Sequence, residues 1–77
     1  MGFLVVKSAR IGAPNWSEDA WIKIDDIDLM REVERPEGVC VIVHQTGTKH
    51  EIMNTSAEQI ARAIHEVRTG NLPFLRI

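Results

Sequence analysis

The feature that most constrains the fold is an amphipathic segment near the carboxyl end, at residues 57–68. Its apolar side chains recur every three or four residues, as on one face of a helix: Ala57, Ile60, Ala61, Ile64 and Val67. Glu58, Arg62 and Glu66 lie four apart on the opposite face, which suits helical ion pairing. A single helix of this kind must bury its apolar face against another layer, which the rest of the chain has to supply.

Both ends of this helix carry capping signals. Thr55 has Glu58 three residues further on, and Ser56 has Gln59, so either pair can form a capping box at the start. Gly70 follows the last periodic residues and is expected to provide the carboxyl-terminal cap, because glycine readily adopts the left-handed conformation.

The amino-terminal half favours strands. Residues 3–11 are rich in β-branched and apolar side chains and predict a first strand, followed by a turn and loop over residues 12–20. Residues 21–34 predict a second strand, bent at Asp25-Asp26, and a short helical turn over residues 25–29 is the alternative. The apolar residues expected to share one face of this strand are Ile27, Leu29 and Val33.

A hairpin follows the proline-glycine turn at residues 35–38. Residues 39–44 give the strongest strand signal in the chain, and Gly47 is expected to adopt positive φ in the loop Gln45-Thr46-Gly47. A three-residue loop pairs His44 with Thr48. That register places Ile42 opposite His50 and Cys40 opposite Ile52.

Together these elements predict one α+β domain over residues 1–77. We expect a three- to four-stranded antiparallel sheet, one C-terminal amphipathic helix at about residues 57–68, and an extended apolar tail at residues 71–77. A domain of 77 residues buries only about 60% of the surface of its unfolded chain. We therefore expect a homo-oligomer.

The tail is the expected oligomer interface. Its large apolar side chains would be an aggregation hazard if solvent covered all of them: Leu72, Phe74, Leu75 and Ile77. Pro73 fixes an extended entry, which suits strand addition or insertion into a groove of a neighbouring copy.

Charge and hydropathy exclude several classes of partner. The formal net charge is −2, which argues against binding of nucleic acid or an anionic membrane through overall charge. The longest apolar runs fall far short of the roughly 20 residues of a membrane helix. Cys40 is the single cysteine, and the amino terminus does not have the pattern of a secretory signal, so we expect a cytoplasmic protein.

The order of these elements resembles the small flagellar and swarming proteins of the FlbD or SwrD family. The matching segments are residues 3–12, residues 25–34, and the stretch from residues 41–47 through residues 56–60. The hairpin pattern is also similar to half of a LytTR-type DNA-binding domain. Neither family has a catalytic motif to carry over, so the resemblance implies a non-catalytic protein.

The sequence offers no catalytic, metal or cofactor motif. Cys40, His44 and His50 could share a face of the hairpin, but their spacing matches no metal-site motif. Cys40 lies in an apolar run, where burial makes a thiol inert. Scattered single glycines exclude a phosphate-binding loop. The acidic residues of the second strand are expected to form a solvated edge: Asp25, Asp26, Asp28, Glu32 and Glu34.

The two tryptophans are the strongest candidates for a binding site. Trp16 and Trp21 lie in or beside a polar loop, and tryptophan is enriched at interface hot spots and stacks on bases. Arg10, Lys7 and Lys23 lie near this loop in sequence and could supply phosphate contacts. We expect a non-catalytic interaction or regulatory module in which these five residues bind another protein. The alternative is a binder of a nucleotide-type ligand or nucleic acid, for example a phage-type inhibitor or sponge.

Overall fold

The computed structural model describes residues 2–10 and 13–77, and over residues 8–10 and 13–18 it describes the backbone only. In chain order the elements are β1 (Phe3–Arg10), β2 (Ala13–Lys23), a 3-10 turn (Ile24–Asp26), β3 (Ile27–Arg35), β4 (Gly38–Gln45), β5 (Thr48–Met53), α1 (Ala57–Gly70) and β6 (Phe74–Arg76). The expected α+β class with one C-terminal helix is confirmed. Ile11 and Gly12, where the first strand was expected to end and the turn to begin, lie outside the described residues.

The strands form one sheet in the order β2-β1-β5-β4-β3, with antiparallel neighbours. β6 lies outside this path and pairs with β1 in parallel, from Phe3↔Phe74 to Val5↔Arg76. The first half of β1 is therefore flanked by β2 and β6, and its second half pairs with β5 at Ser8 and Ala9. The tail thus completes the sheet of its own domain.

The hydrophobic core lies between one face of the sheet and α1. Its buried members are Leu4, Val6, Ile22, Ile24, Val41, Val43, Ile52, Ile60, Ala63 and Val67. Leu4 and Val6 alternate with Val5, which is fully buried but belongs to the opposite face of β1. Nowhere in residues 2–10 or 13–77 is there a helix with the length and apolar character that crossing a bilayer requires.

The helix begins as expected and ends differently. Ser56 forms the capping box, since its hydroxyl accepts from the Gln59 amide at 3.2 Å and its own amide donates to Gln59 Oε1 at 2.8 Å. The expected cap at Gly70 is wrong, because the helix continues through Gly70 and Asn71 is the left-handed residue, with φ 50°. The Leu72 amide then closes the end by donating to the Val67 carbonyl at 3.0 Å. Asparagine tolerates this conformation better than other side chains do.

The expected loop at residues 13–20 is also wrong, because these residues belong to strand β2. β1 pairs with β2 residue by residue from Phe3↔Lys23 to Ala9↔Ser17, and this pairing overrides the local turn-forming residues. Pro14 is tolerated because the register shifts between Ala9 and Arg10, from Ala9↔Ser17 to Arg10↔Ala13, so Pro14 has no partner in the ladder with β1.

The region predicted as one bent strand, residues 21–34, contains the end of β2, a 3-10 turn at Ile24–Asp26 and most of β3. The alternative prediction, a short helical turn over residues 25–29, agrees with this more closely. The expectation that Ile27, Leu29 and Val33 share a face is wrong for Ile27, whereas Leu29 and Val33 do share one, opposite His44 and Cys40. The register shifts between Ile27 and Leu29, and this bulge turns Ile27 to the core while Leu29 remains 51% exposed. The five acidic residues are solvent-exposed, as expected, but only Asp28, Glu32 and Glu34 lie on the edge strand β3, because Asp25 and Asp26 belong to the 3-10 turn.

The hairpin register differs from the expected one by a single residue. Gln45 pairs with Thr48 across a two-residue turn, so Val43 lies opposite His50 and Val41 opposite Ile52. Gly47 has the expected positive φ, 79°. Thr46 and Gly47 are the two central residues of this turn, and a turn type with positive φ at the second of them alone exists. Thr46 therefore does not need the left-handed conformation, which explains why the shorter turn forms. The shift of one residue changes which side chains of β4 and β5 lie on the same face: His50 and Ile52 share a face with Val43 and Val41 instead of Ile42 and Cys40.

Candidate partner-binding face

Three aromatic rings from three different strands form a cluster on the surface. The ring centroids of Trp21 and Phe74 lie 5.2 Å apart, and those of Trp21 and Phe3 lie 6.1 Å apart with an edge-to-face angle of 67°. Trp21 is 54% exposed and Phe74 45% exposed. We call Phe3, Trp21 and Phe74 the aromatic face.

Strand register explains why these rings meet. Phe3 pairs with Phe74 on β6, while Trp21 on β2 pairs with Val5, two residues along β1. Residues two apart point to the same face of a strand, so all three rings lie on the side away from the core. Val5 is fully buried between them, although it lies on this outer side of the sheet.

Charged side chains surround the aromatic face. Arg76 Nη1 donates to Asp19 Oδ2 at 2.9 Å, across the strand that separates β6 from β2. This hydrogen bond from Arg76, with the positive charges of Arg76 and Lys7, holds the pKa of Asp19 below its ordinary value, against a smaller opposing effect of burial. Lys7 lies opposite Asp19 in the ladder, and Lys23 lies opposite Phe3. The rim therefore has three cations and one carboxylate.

The structure brings together three of the five residues expected to bind a partner. Trp21, Lys7 and Lys23 lie on the same side of the β1–β2 pair, at or beside the aromatic face. Trp16 lies in β2 and Arg10 at the end of β1, but their side chains are outside the described residues. The predicted role of these two residues stays a prediction.

The tail residues expected at an oligomer interface have different environments. Phe74 belongs to the aromatic face, and Leu75 is half-buried against the core of its own domain. Leu72 and Ile77 are 36% and 41% exposed. The backbone of the tail pairs within the chain, so an intersubunit contact stays a prediction that concerns its exposed side chains.

Sequence reasoning missed how Phe3, Arg76 and Asp19 complete the site. Alternation along the first strand could have placed Phe3 and Lys7 on one face. The parallel pairing of β6 with β1 joins residues about seventy positions apart, and no local sequence pattern predicts such a pairing. Phe74 was expected at an interface, but not beside Trp21.

The histidines and the cysteine do not form a cluster. The hairpin register puts His50 on the core side with Val43, while His44 and Cys40 lie on the outer side, so the expectation of a shared face is wrong. His50 contacts Gln45 Oε1 at 3.1 Å, and His44 Nε2 accepts from Arg31 Nε at 3.4 Å. Cys40 is fully buried, with its sulfur 3.5 Å from that of Met53. The described residues contain no group of three or more side chains placed to bind a metal.

No family model, curated protein or solved structure matches this chain. The resemblance to the FlbD or SwrD family and to half of a LytTR domain stays a prediction from the sequence.

Proposed function

We propose that this chain is a non-catalytic, cytoplasmic interaction module that binds another protein through the aromatic face. The observation that carries the proposal is the exposure of Trp21 and Phe74 in one packed cluster. Exposed aromatic clusters with a charged rim are typical of interaction sites, and tryptophan is the most enriched hot-spot residue. The free, buried Cys40 suits a reducing compartment.

The charge of the rim specifies the chemistry of the partner. Lys7, Lys23 and Arg76 outnumber Asp19, which is already paired with Arg76. Two copies meeting face to face would bring like charges together, whereas an acidic partner gains complementary ones. We therefore propose a partner segment that combines a large apolar side chain for the ring cluster with flanking Asp or Glu residues.

A nucleotide-type ligand is the second candidate, because Trp21 has two lysines on its own side of the sheet. A base could stack on the exposed indole while Lys7 or Lys23 binds a phosphate. Binding of a nucleoside triphosphate that is abolished by Trp21→Leu would support this candidate over the protein partner.

Selection from a displayed library of random peptides tests the proposal. The full chain is the bait, and the expected result is enrichment of peptides with an aromatic or large aliphatic residue flanked by acidic residues. The charge-reversal variant Lys23→Glu should bind the selected peptides more weakly, because it replaces an attraction by a repulsion without altering the ring cluster. Glu66→Lys, which adds positive charge on the exposed surface of α1, is the matched control and should bind them as the wild type does. Enrichment of unrelated sequences, or equal binding by Lys23→Glu, would contradict the proposal.

A further inference from the structure

A second feature lies at the other end of the sheet order, on β3, β4 and β5. A cavity of about 270 Å³ is lined by Arg31, Arg35, Ile42, Lys49, His50 and Glu51. Arg31, Ile42 and Glu51 form one row across the three strands, and Arg35 and Lys49 lie on the same side of their strands. We call this feature the basic pocket.

The basic pocket is positive in a chain whose net charge is −2. It has three cationic side chains and one carboxylate, and Arg35 Nε donates to that carboxylate, Glu51 Oε1, at 3.1 Å. The ring of His50 belongs to the core side of the sheet with Val43, opposite the row of Arg31, Ile42 and Glu51, and burial lowers the pKa of this imidazole. Once Arg35 and Glu51 neutralise each other, the charges of Arg31 and Lys49 are left to act on a ligand.

The arrangement of donors also favours an anion. Arg31 donates through Nε to Nε2 of His44 at 3.4 Å, which orients the guanidinium and leaves its terminal nitrogens for another acceptor. Guanidinium and ammonium groups together are the usual partners of phosphate oxygens. Two positive charges match a phosphate monoester, which carries about −1.5 to −2 near neutral pH.

We propose that the basic pocket binds a small phosphate monoester, with Arg31 and Lys49 as its principal ligands. The cavity is below the roughly 300–1,000 Å³ of sites for drug-sized molecules, so the ligand is small. Ile42 gives the pocket an apolar floor against which an uncharged organic part can pack. This site involves no residue of the aromatic face, and either proposal can fail without the other.

Calorimetric titration with ribose 5-phosphate, with inorganic phosphate and with ribose tests the site. The expected result is saturable binding of ribose 5-phosphate, weaker binding of inorganic phosphate, and no binding of ribose. Raising the salt concentration from about 50 to about 200 mM should weaken the binding, because the interaction is ionic. Absence of saturable binding of both phosphate compounds up to about 10 mM, a limit far weaker than ordinary ligand sites, would overturn the proposal.

Variants identify the residues. Arg31→Gln and Lys49→Gln should each weaken binding of ribose 5-phosphate by at least about tenfold, the usual loss of a charge-assisted hydrogen bond. Arg62→Gln is the matched control, since Arg62 is a highly exposed arginine on α1 that pairs with Glu58. Trp21→Ala should also bind normally. Equal affinity of the wild type, Arg31→Gln and Lys49→Gln for ribose 5-phosphate would overturn the proposal. Loss of binding in Trp21→Ala alone would also overturn it, since the phosphate would then bind at the aromatic face.

Discussion

At the scale of single residues, the ion pair of Asp19 and Arg76 links the tail to β2. The two side chains meet at 2.9 Å over β1, and both are partly exposed to solvent. Exposed pairs contribute little to stability, so we assign this one a positioning role. It holds β6 and its ring Phe74 beside Trp21.

The pKa of Asp19 provides a test of this ion pair. Because the hydrogen bond from Arg76 lowers this pKa below the ordinary 3.8, the stabilisation is fully present above that pH and is lost as the pH falls through the lowered pKa. In Arg76→Gln the pKa of Asp19 should rise towards 3.8, as measured by NMR titration of its carboxyl carbon. Arg62→Gln should leave it unchanged, and an unchanged value in both variants would show that the pair does not form in solution.

Some residues of the binding face could be assigned from the sequence, and others required tertiary structure. Trp21, Lys7 and Lys23 were identified because their residue types suit binding and they lie close in the chain. Their convergence on one side follows from the pairing of β1 with β2. The chemistry of a residue follows from its own type, whereas its neighbours across a sheet depend on the register of the strands. An error of one residue in a predicted turn changes that register.

At the scale of elements, the β4–β5 turn depends on the backbone of Gly47. Its φ is 79°, and a Cβ atom added there would meet no atom within 4 Å. Gly47→Val should therefore destabilise the protein by more than about 1 kcal/mol through backbone strain alone. Gly47→Asn should cost markedly less, because asparagine tolerates positive φ. Equal denaturant midpoints for the wild type and Gly47→Val would contradict the left-handed conformation.

The start of α1 gives a second test at this scale. Ser56→Ala removes the acceptor of the Gln59 amide and should cost about 1 kcal/mol in the free energy of unfolding. Ser56→Asp is the control, since aspartate also caps and its charge suits the amino end of a helix. Urea denaturation measures the free energy of unfolding of both variants. The same value for Ser56→Ala and the wild type would show that the capping box does not contribute to stability.

The helix was the element best predicted from the sequence, because its periodicity and its cap are local properties. The strand at residues 13–20 was missed since Pro14 and Asn15 favour turns locally, while pairing with β1 is a property of the whole sheet. The one-residue error at the hairpin arose from choosing a three-residue loop, and it reversed the faces assigned to His50 and Ile52.

At the scale of the whole molecule, the tail closes the sheet and leaves apolar side chains exposed. Leu72 and Ile77 remain 36% and 41% exposed, outside the ring cluster. If a neighbouring copy covers them, the double variant Leu72→Ser, Ile77→Ser should have fewer subunits than the wild type, because both residues flank β6 and serine removes the apolar contact without changing β6 itself. Native mass spectrometry counts the subunits. The same count for both proteins, each folded, would contradict a role of these side chains in oligomerisation.

The central claim is that the aromatic face is the surface where a partner protein binds. The most direct measurement is the calorimetric affinity of a peptide from the library selection above, with a large apolar residue flanked by acidic ones, for the wild type and two variants. Trp21→Ala should lose about 30-fold in affinity, the loss typical of a hot-spot residue, provided circular dichroism shows that it is folded. Leu29→Ala removes a similarly exposed apolar side chain from β3 and should bind as the wild type does. Equal affinity of Trp21→Ala and the wild type, or a loss confined to Leu29→Ala, would contradict the account.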